Sequence, residues 1–166
     1  MRPEYVPVRY ELLRPKQIAA IRDRCPIAYM PTGSIEWHSF QNPLGTDALK
    51  AHAVCCEAAL LSGGIVVPPI FQGLLGNANW GPEGWKNFTL GWNTPETLQA
   101  LYAGQACALA NAGWRVIVGV CGHDPESQRD LLHNGIRQGI AGTEAKGFGI
   151  TEGENWEGGR SLWLGR

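Results

Sequence analysis

Pro26-Ile27-Ala28-Tyr29-Met30-Pro31, running on through Thr32 into Gly33-Ser34-Ile35-Glu36-Trp37-His38-Ser39-Phe40-Gln41-Asn42-Pro43-Leu44-Gly45-Thr46-Asp47, is the stretch from which the fold is read. The first six residues are an apolar run bounded by Pro and read as a buried strand. Thr46 is expected to cap a helix, with Asp47 in its positive first turn. Ala48 to Leu61 is rich in Ala, Leu and Cys and ends at Ser62-Gly63-Gly64, a helix stop. The unit is therefore strand, loop, helix. The loop carries Glu36 and His38 and ends at Asp47, three side chains of metal-ligand type close together.

The same unit recurs down the chain. Upstream, residues 1–13 read as irregular, and Pro15 opens a short amphipathic helix to about Arg24. Downstream, Ile65 to Phe71 reads as a second strand closed by Pro68 and Pro69. Residues 72–93 show no period and read as a long structured loop, a kind of segment that is usually functional. Thr94-Pro95-Glu96 caps a helix that runs to Asn111-Ala112-Gly113. Trp114 to Cys121 is the clearest strand and opens onto Gly122-His123. Asp124 and Pro125 start a helix reaching about Ile140, and Lys146 to Ile150 is a fourth strand. Strands alternating with helices predict a three-layer α/β/α fold with a mostly parallel sheet. The 166 residues are expected to form one domain.

Composition excludes several function classes. Basic and acidic residues number 14 and 15, which gives no reason to expect nucleic acid or an anionic membrane as partner. No apolar run approaches the roughly 20 residues of a membrane span, and the first ten residues lack the apolar core of a signal peptide. The five Cys contain no Cys-x-x-Cys pair and read as free thiols in a reducing compartment, so a cytoplasmic protein is expected.

In a parallel sheet, ligands sit at the carboxyl ends of the strands. Glu36, His38 and His123 all lie just past such an end, and Asp47 follows the first of these loops. Two imidazoles and two carboxylates suit zinc or manganese. Each also has a plain structural reading: a solvent-facing acid, a hydrogen-bonded loop histidine, a first-turn helix acid, a strand-end histidine. A fifth carboxylate would complete a two-metal site, and the chemistry that follows most naturally is hydrolysis of an amide-type C–N bond by metal-activated water. His52 and His133 fall inside helices and read as structural. No Gly-x-Ser-x-Gly elbow, Cys/His signature or three-glycine dinucleotide turn is present.

Gly33-Ser34-Ile35-Glu36-Trp37-His38, followed by Pro43-Leu44-Gly45-Thr46-Asp47, resembles the creatininase (creatinine amidohydrolase) family. Pro68-Pro69-Ile70, and Gly113-Trp114-Arg115-Val116-Ile117-Val118 leading into Gly122-His123, extend the resemblance over roughly residues 27–126. It implies that Asp47 bridges two metal ions, Zn or Mn. Glu36 and His123 would complete one metal's shell and take part in catalysis. His38 and a further carboxylate would hold the other metal. That carboxylate is Glu126 if the run Gly122-His123-Asp124-Pro125-Glu126 supplies it, or Glu157 if the segment starting at Glu152 does. Two departures stand out. Ser39 follows His38 where the family usually has Gly, and the Trp80 to Trp92 loop replaces a family block after the second strand.

The resemblance implies a metal-dependent amidohydrolase acting on a small amide, in a homo-oligomer, and a creatininase-like domain short at its C-terminus. Trp80, Trp85 and Trp92 are candidate walls for the substrate. The alternatives are a non-catalytic binding or scaffold protein with an incomplete metal site and, more remotely, a sugar- or nucleotide-binding α/β module.

Overall fold

The computed structural model describes residues 3–74, 88–90, 92–123 and 126–152. Its main sheet contains β1 (Ile27–Thr32), β2 (Ile65–Val66), β5 (Val116–Cys121) and β6 (Lys146–Thr151), in the order β2-β1-β5-β6, with every pair parallel. The helices are α1 (Pro15–Arg24), α2 (Thr46–Ser62), α3 (Pro95–Asn111) and α4 (Glu126–Gly139). The α/β architecture read from the strand–helix alternation is the one observed.

Side chains alternate across a strand, and β1 sorts them cleanly. Ala28 and Met30 enter a core built with Leu98 and Tyr102 of α3 and Leu132 and Ile136 of α4, against which Ile18 and Ile21 of α1 also pack. Tyr29 enters the opposite core, with Ala51, Cys55 and Ala59 of α2. Helices thus cover both faces of the sheet. Each fully buried Leu or Ile contributes about 1.5–3 kcal/mol. Helices α3 and α4 meet closely because Gly135 and Gly139 lie one turn apart on α4. A Cβ at Gly139 would sit 2.2 Å from the Ala103 carbonyl oxygen, and one at Gly135 would sit 2.7 Å from the Tyr102 Cβ.

Several boundaries differ from the sequence reading, each for a physical reason. Residues 1–13 were expected to be irregular, but two 3-10 segments form, Pro3–Val8 and Tyr10–Leu12. They are held by burial of Tyr5 and Val8 against α2 and by the Tyr5 hydroxyl, which donates to Glu57 Oε1 at 2.7 Å. Thr46 is the first helical residue of α2 and Gly45 is the cap. The Thr46 hydroxyl donates to the Pro43 carbonyl at 2.5 Å, so it secures the preceding turn rather than capping a helix N–H. Strand β2 stops after two residues because Pro68 and Pro69 have no N–H for the ladder. The Val67 N–H still donates to the Tyr29 carbonyl at 3.0 Å, and after the two prolines pairing with β1 resumes at the Thr32–Ile70 bridge. Within 72–93, Gly73–Leu74 (β3) and Trp92–Asn93 (β4) pair as a small parallel sheet. Trp80 and Trp85 lie outside the described residues.

The strand order fixes where a ligand can sit. β2 lies on one side of β1 and β5 on the other, so the connections leaving β1 and β5 diverge and open a crevice between their carboxyl ends. Thr32 is in register with Cys121, the last residue of β5, and the Gly122 N–H donates to the Thr32 carbonyl at 2.9 Å. The two loops therefore start side by side.

Candidate metal centre

Three of the sequence-predicted ligands meet in that crevice. One ligand atom each from Glu36, Asp47 and His123 lie within 4.8 Å of one another. Glu36 follows β1 and is set by its own backbone N–H, which donates to the Leu44 carbonyl at 2.9 Å. His123 is two residues past β5 and is buried. Asp47 opens α2 and is buried too, with only 3% exposure. The helix N-terminus stabilises its negative charge, which offsets part of the cost of burial.

Two glycines make this approach possible. A Cβ at Gly33 would lie 2.4 Å from the Ala48 nitrogen and 2.6 Å from the Asp47 carbonyl carbon. A Cβ at Gly122 would lie 2.1 Å from the Asp47 carbonyl oxygen. Any side chain at either position would push the first turn of α2 off the ends of β1 and β5. Both glycines were legible as loop residues, but their role as the seat of Asp47 was not, because it is a contact between separate segments.

His38 completes the arrangement from the other side of Asp47. Its Nε2 lies 2.8 Å from Asp47 Oδ1 and its Nδ1 3.0 Å from the Glu36 carbonyl oxygen. A carbonyl can only accept, so Nδ1 carries a proton. In the neutral ring Nε2 then points its lone pair at a carboxylate oxygen. That contact repels unless a proton or a metal cation lies between the two atoms. On the opposite side, Asp47 Oδ2 is 3.7 Å from His123 Nδ1, and His123 Nε2 is 3.9 Å from Glu36 Oε2. Among the described residues, Asp47 Oδ2 and His123 Nδ1 are buried with no hydrogen-bond partner. Buried polar atoms are normally satisfied, so this donor set fits a divalent cation better than an empty space. Burial pushes the Glu36 carboxyl above its usual range. The Asp47 carboxylate adds to the rise, and His123 and His38 oppose it. A neighbouring cation would cancel that rise.

The remaining candidates divide. Glu126 is the first residue of α4, which brings its backbone to the same sheet edge, but its side chain is not among those described. Glu157 lies outside the described residues, as do Asp124 and Pro125. Of the two helix histidines, His52 Nε2 is 3.7 Å from Cys56 Sγ, and His133 Nδ1 accepts from the Gly149 N–H at 3.4 Å. All five cysteines are free. Burial raises the Cys56 thiol to about 11, which makes it a poor nucleophile. An ion pair that was not anticipated, Lys50 Nζ to Glu152 Oε1 at 2.6 Å, ties the first turns of α2 to the residue that follows β6. No local sequence signal links those positions.

A parallel α/β sheet carrying a carboxylate-and-imidazole cluster at its switch point is an arrangement able to hold a divalent metal ion. A profile of the creatininase family, described as creatinine amidohydrolase, matches residues 11–150, and the chain belongs to that family. Among solved structures, that of a creatinine amidohydrolase (creatininase) has 23% identity and a TM-score of 0.73, covering 87% of this chain and 57% of that chain. A manganese form of creatininase has 23% identity and a TM-score of 0.73, with 87% and 58% coverage. A Zn–Zn form of a creatininase variant has 23% identity and a TM-score of 0.72, with 86% and 57% coverage. At these identities the likeness is one of fold, and this chain spans less than two thirds of the chains it matches. No curated protein matches the sequence. Among the described residues no helix is long and apolar enough to cross a membrane.

Proposed function

We propose that this protein is a metal-dependent amidohydrolase that cleaves an amide-type C–N bond of a small molecule. One observation carries the reading: Asp47 turns its two carboxylate oxygens toward two different histidines, His38 at 2.8 Å and His123 at 3.7 Å. That is the disposition expected of a carboxylate that bridges two sites. Glu36 and His123 would hold one ion with Asp47 Oδ2. His38 and a fifth carboxylate, Glu126 or Glu157, would hold a second with Asp47 Oδ1. Zn or Mn fits this donor set, and both occur in the creatininase structures that share the fold. A divalent ion held there supplies a Lewis acid and a bound water of lowered pKa.

The chain's own residues set the conditions for that chemistry. Buried Asp47 and His123 form the floor of the crevice. Glu36, partly exposed, lies on the solvent side of His123; with one carboxylate oxygen holding the ion, its other oxygen would accept a proton from the attacking water and return it to the leaving nitrogen. The Glu36 carbonyl fixes the His38 ring so that Nε2 points at Asp47.

The proposal extends to the whole chain as one creatininase-like domain, working in the cytoplasm as a homo-oligomer. Its five free thiols and near-neutral charge support the compartment. The exposed Leu49, Val54, Leu60 and Leu61 of α2 support association with other copies. A second reading, a binding protein with an incomplete site, is favoured by the sequence resemblance itself, in which creatininase carries a carboxylate two residues after the strand-end histidine, whereas Glu126 stands three residues after His123. Metal analysis of the chain purified without chelator tests the first reading. About one to two divalent ions per chain are expected, with loss of the metal in Asp47→Ala. A metal-free wild type, or content unchanged by that substitution, would overturn it. A metal-loaded chain inert toward a panel of cyclic and linear amides would favour the binding protein.

A further inference from the structure

Three polar side chains are completely buried behind the metal centre: Thr32 at the end of β1, Tyr102 in α3 and Gln128 in the first turns of α4. Their hydrogen bonds admit one consistent direction. Gln128 Nε2 donates to the Tyr102 hydroxyl at 3.2 Å and to the Gln72 carbonyl at 3.3 Å. Both amide protons are then used. The Tyr102 hydroxyl donates to Thr32 Oγ1 at 2.9 Å, and Thr32 donates to the Ile70 carbonyl at 3.3 Å. That same carbonyl accepts from the Gly33 N–H at 3.0 Å. Gln128 Oε1 accepts from the Leu74 N–H at 3.0 Å. Burial raises the Tyr102 phenol further, which keeps it a donor.

The chain of bonds has ends that matter. One end, Gln128, lies five residues after His123, where the loop has become α4. The other end, Gly33, abuts the backbone of Asp47 so closely that no Cβ fits between them. An apolar core would have packed here at no desolvation cost, and a polar network in its place selects one arrangement of the groups that it joins.

We propose that Thr32, Tyr102 and Gln128 are positioning residues that lock the root of the Glu36–Asp47 loop to the root of the His123 loop, and so set the spacing of the metal ligands. The proposal rests on the metal reading for its functional consequence, whereas the coupling itself does not.

The test compares Thr32→Val, which keeps the volume and loses the hydroxyl, with Thr32→Ser, which keeps the hydroxyl and loses a methyl. Tyr102→Phe is the third variant. Mn2+ affinity, thermal midpoint and amide exchange at Gly33 and Leu74 are measured on each full-length chain. Thr32→Val and Tyr102→Phe should weaken Mn2+ binding about tenfold, as loss of groups supporting metal ligands does, and speed exchange at both amides. Thr32→Ser should retain both properties even where its midpoint falls below that of Thr32→Val. Affinity that follows the midpoint, or Thr32→Val binding Mn2+ like the wild type, would overturn the proposal. If the wild type binds no Mn2+, the metal reading fails and amide exchange alone decides. Faster exchange at Leu74 in Thr32→Val, two hydrogen bonds beyond the change, supports the coupling, and exchange unchanged there removes it.

Discussion

Asp47 Oδ2 and His123 Nδ1 face each other across 3.7 Å, both buried and, among the described residues, both without a hydrogen-bond partner. The gap is too long for a hydrogen bond and too costly to leave bare. The residues around it account for its persistence. Gly33 and Gly122 let the Asp47 backbone sit against two strand ends, and the first turn of α2 favours its charge.

Gly122→Ala tests this seat. Its Cβ would meet the Asp47 carbonyl oxygen at 2.1 Å, so α2 must shift. Overpacking of this kind costs about 1–3 kcal/mol, and denaturant unfolding should show that loss together with reduced metal content. Full stability and full metal content would show that the first turn of α2 is free to move.

The raised Glu36 carboxyl gives a pH dependence with a definite sign. In the metal-free chain the folded state holds this proton to higher pH than the unfolded state does. The stability it contributes is present below the ordinary carboxyl range and declines as pH rises through the raised value. Glu36→Gln removes that decline. Its metal-free thermal midpoint at neutral pH should exceed the wild type's by about 2 °C, and the order should reverse when Mn2+ is added. Identical metal-free profiles for the two chains would show that Glu36 is not held in a desolvated, proton-retaining site.

Ser39 has φ of 68°, a left-handed conformation that suits glycine and strains other residues. It follows His38 where the family usually has Gly. Ser39→Gly should stabilise the chain by about 0.5–1 kcal/mol and leave metal affinity unchanged. A fall in the thermal midpoint would indicate that the Ser39 side chain makes a compensating contact.

Histidine substitutions separate the two halves of the site. His38→Ala should lower metal content by about half, since its Nε2 meets Asp47 through Oδ1, the oxygen turned away from His123. His52→Ala should leave metal content at wild-type level, because its ring lies against Cys56. Equal effects from the two would remove the distinction between ligand and structural histidine.

Much of the site was legible because its residues are close in sequence or sit at strand ends. Glu36 and His38 are two apart, and His123 follows the clearest strand in the chain, so the sheet rule alone brings them together. Helix periodicity and Pro and Gly punctuation placed the four α-helices among the described residues, but not the two 3-10 segments before α1. What escaped depends on contacts between distant segments. Thr46 has the composition of a cap, but the Pro43 carbonyl captures its hydroxyl. Pairing of Gly73 with Trp92 leaves no pattern in a segment without a period. Thr32, Tyr102 and Gln128 look like an ordinary strand end and two ordinary helix positions, and only packing of α3 and α4 against β1 joins them. Glu126 and Glu157, the two candidates for a fifth ligand, both carry side chains outside those described.

The most direct measurement is anomalous diffraction from crystals of the full chain grown with Mn2+. The account predicts a peak within bonding distance of Asp47, His123 and Glu36, and a second between Asp47 Oδ1 and His38 Nε2. A map with no peak at either position, from crystals in which the loop and His123 hold the arrangement described, would contradict it.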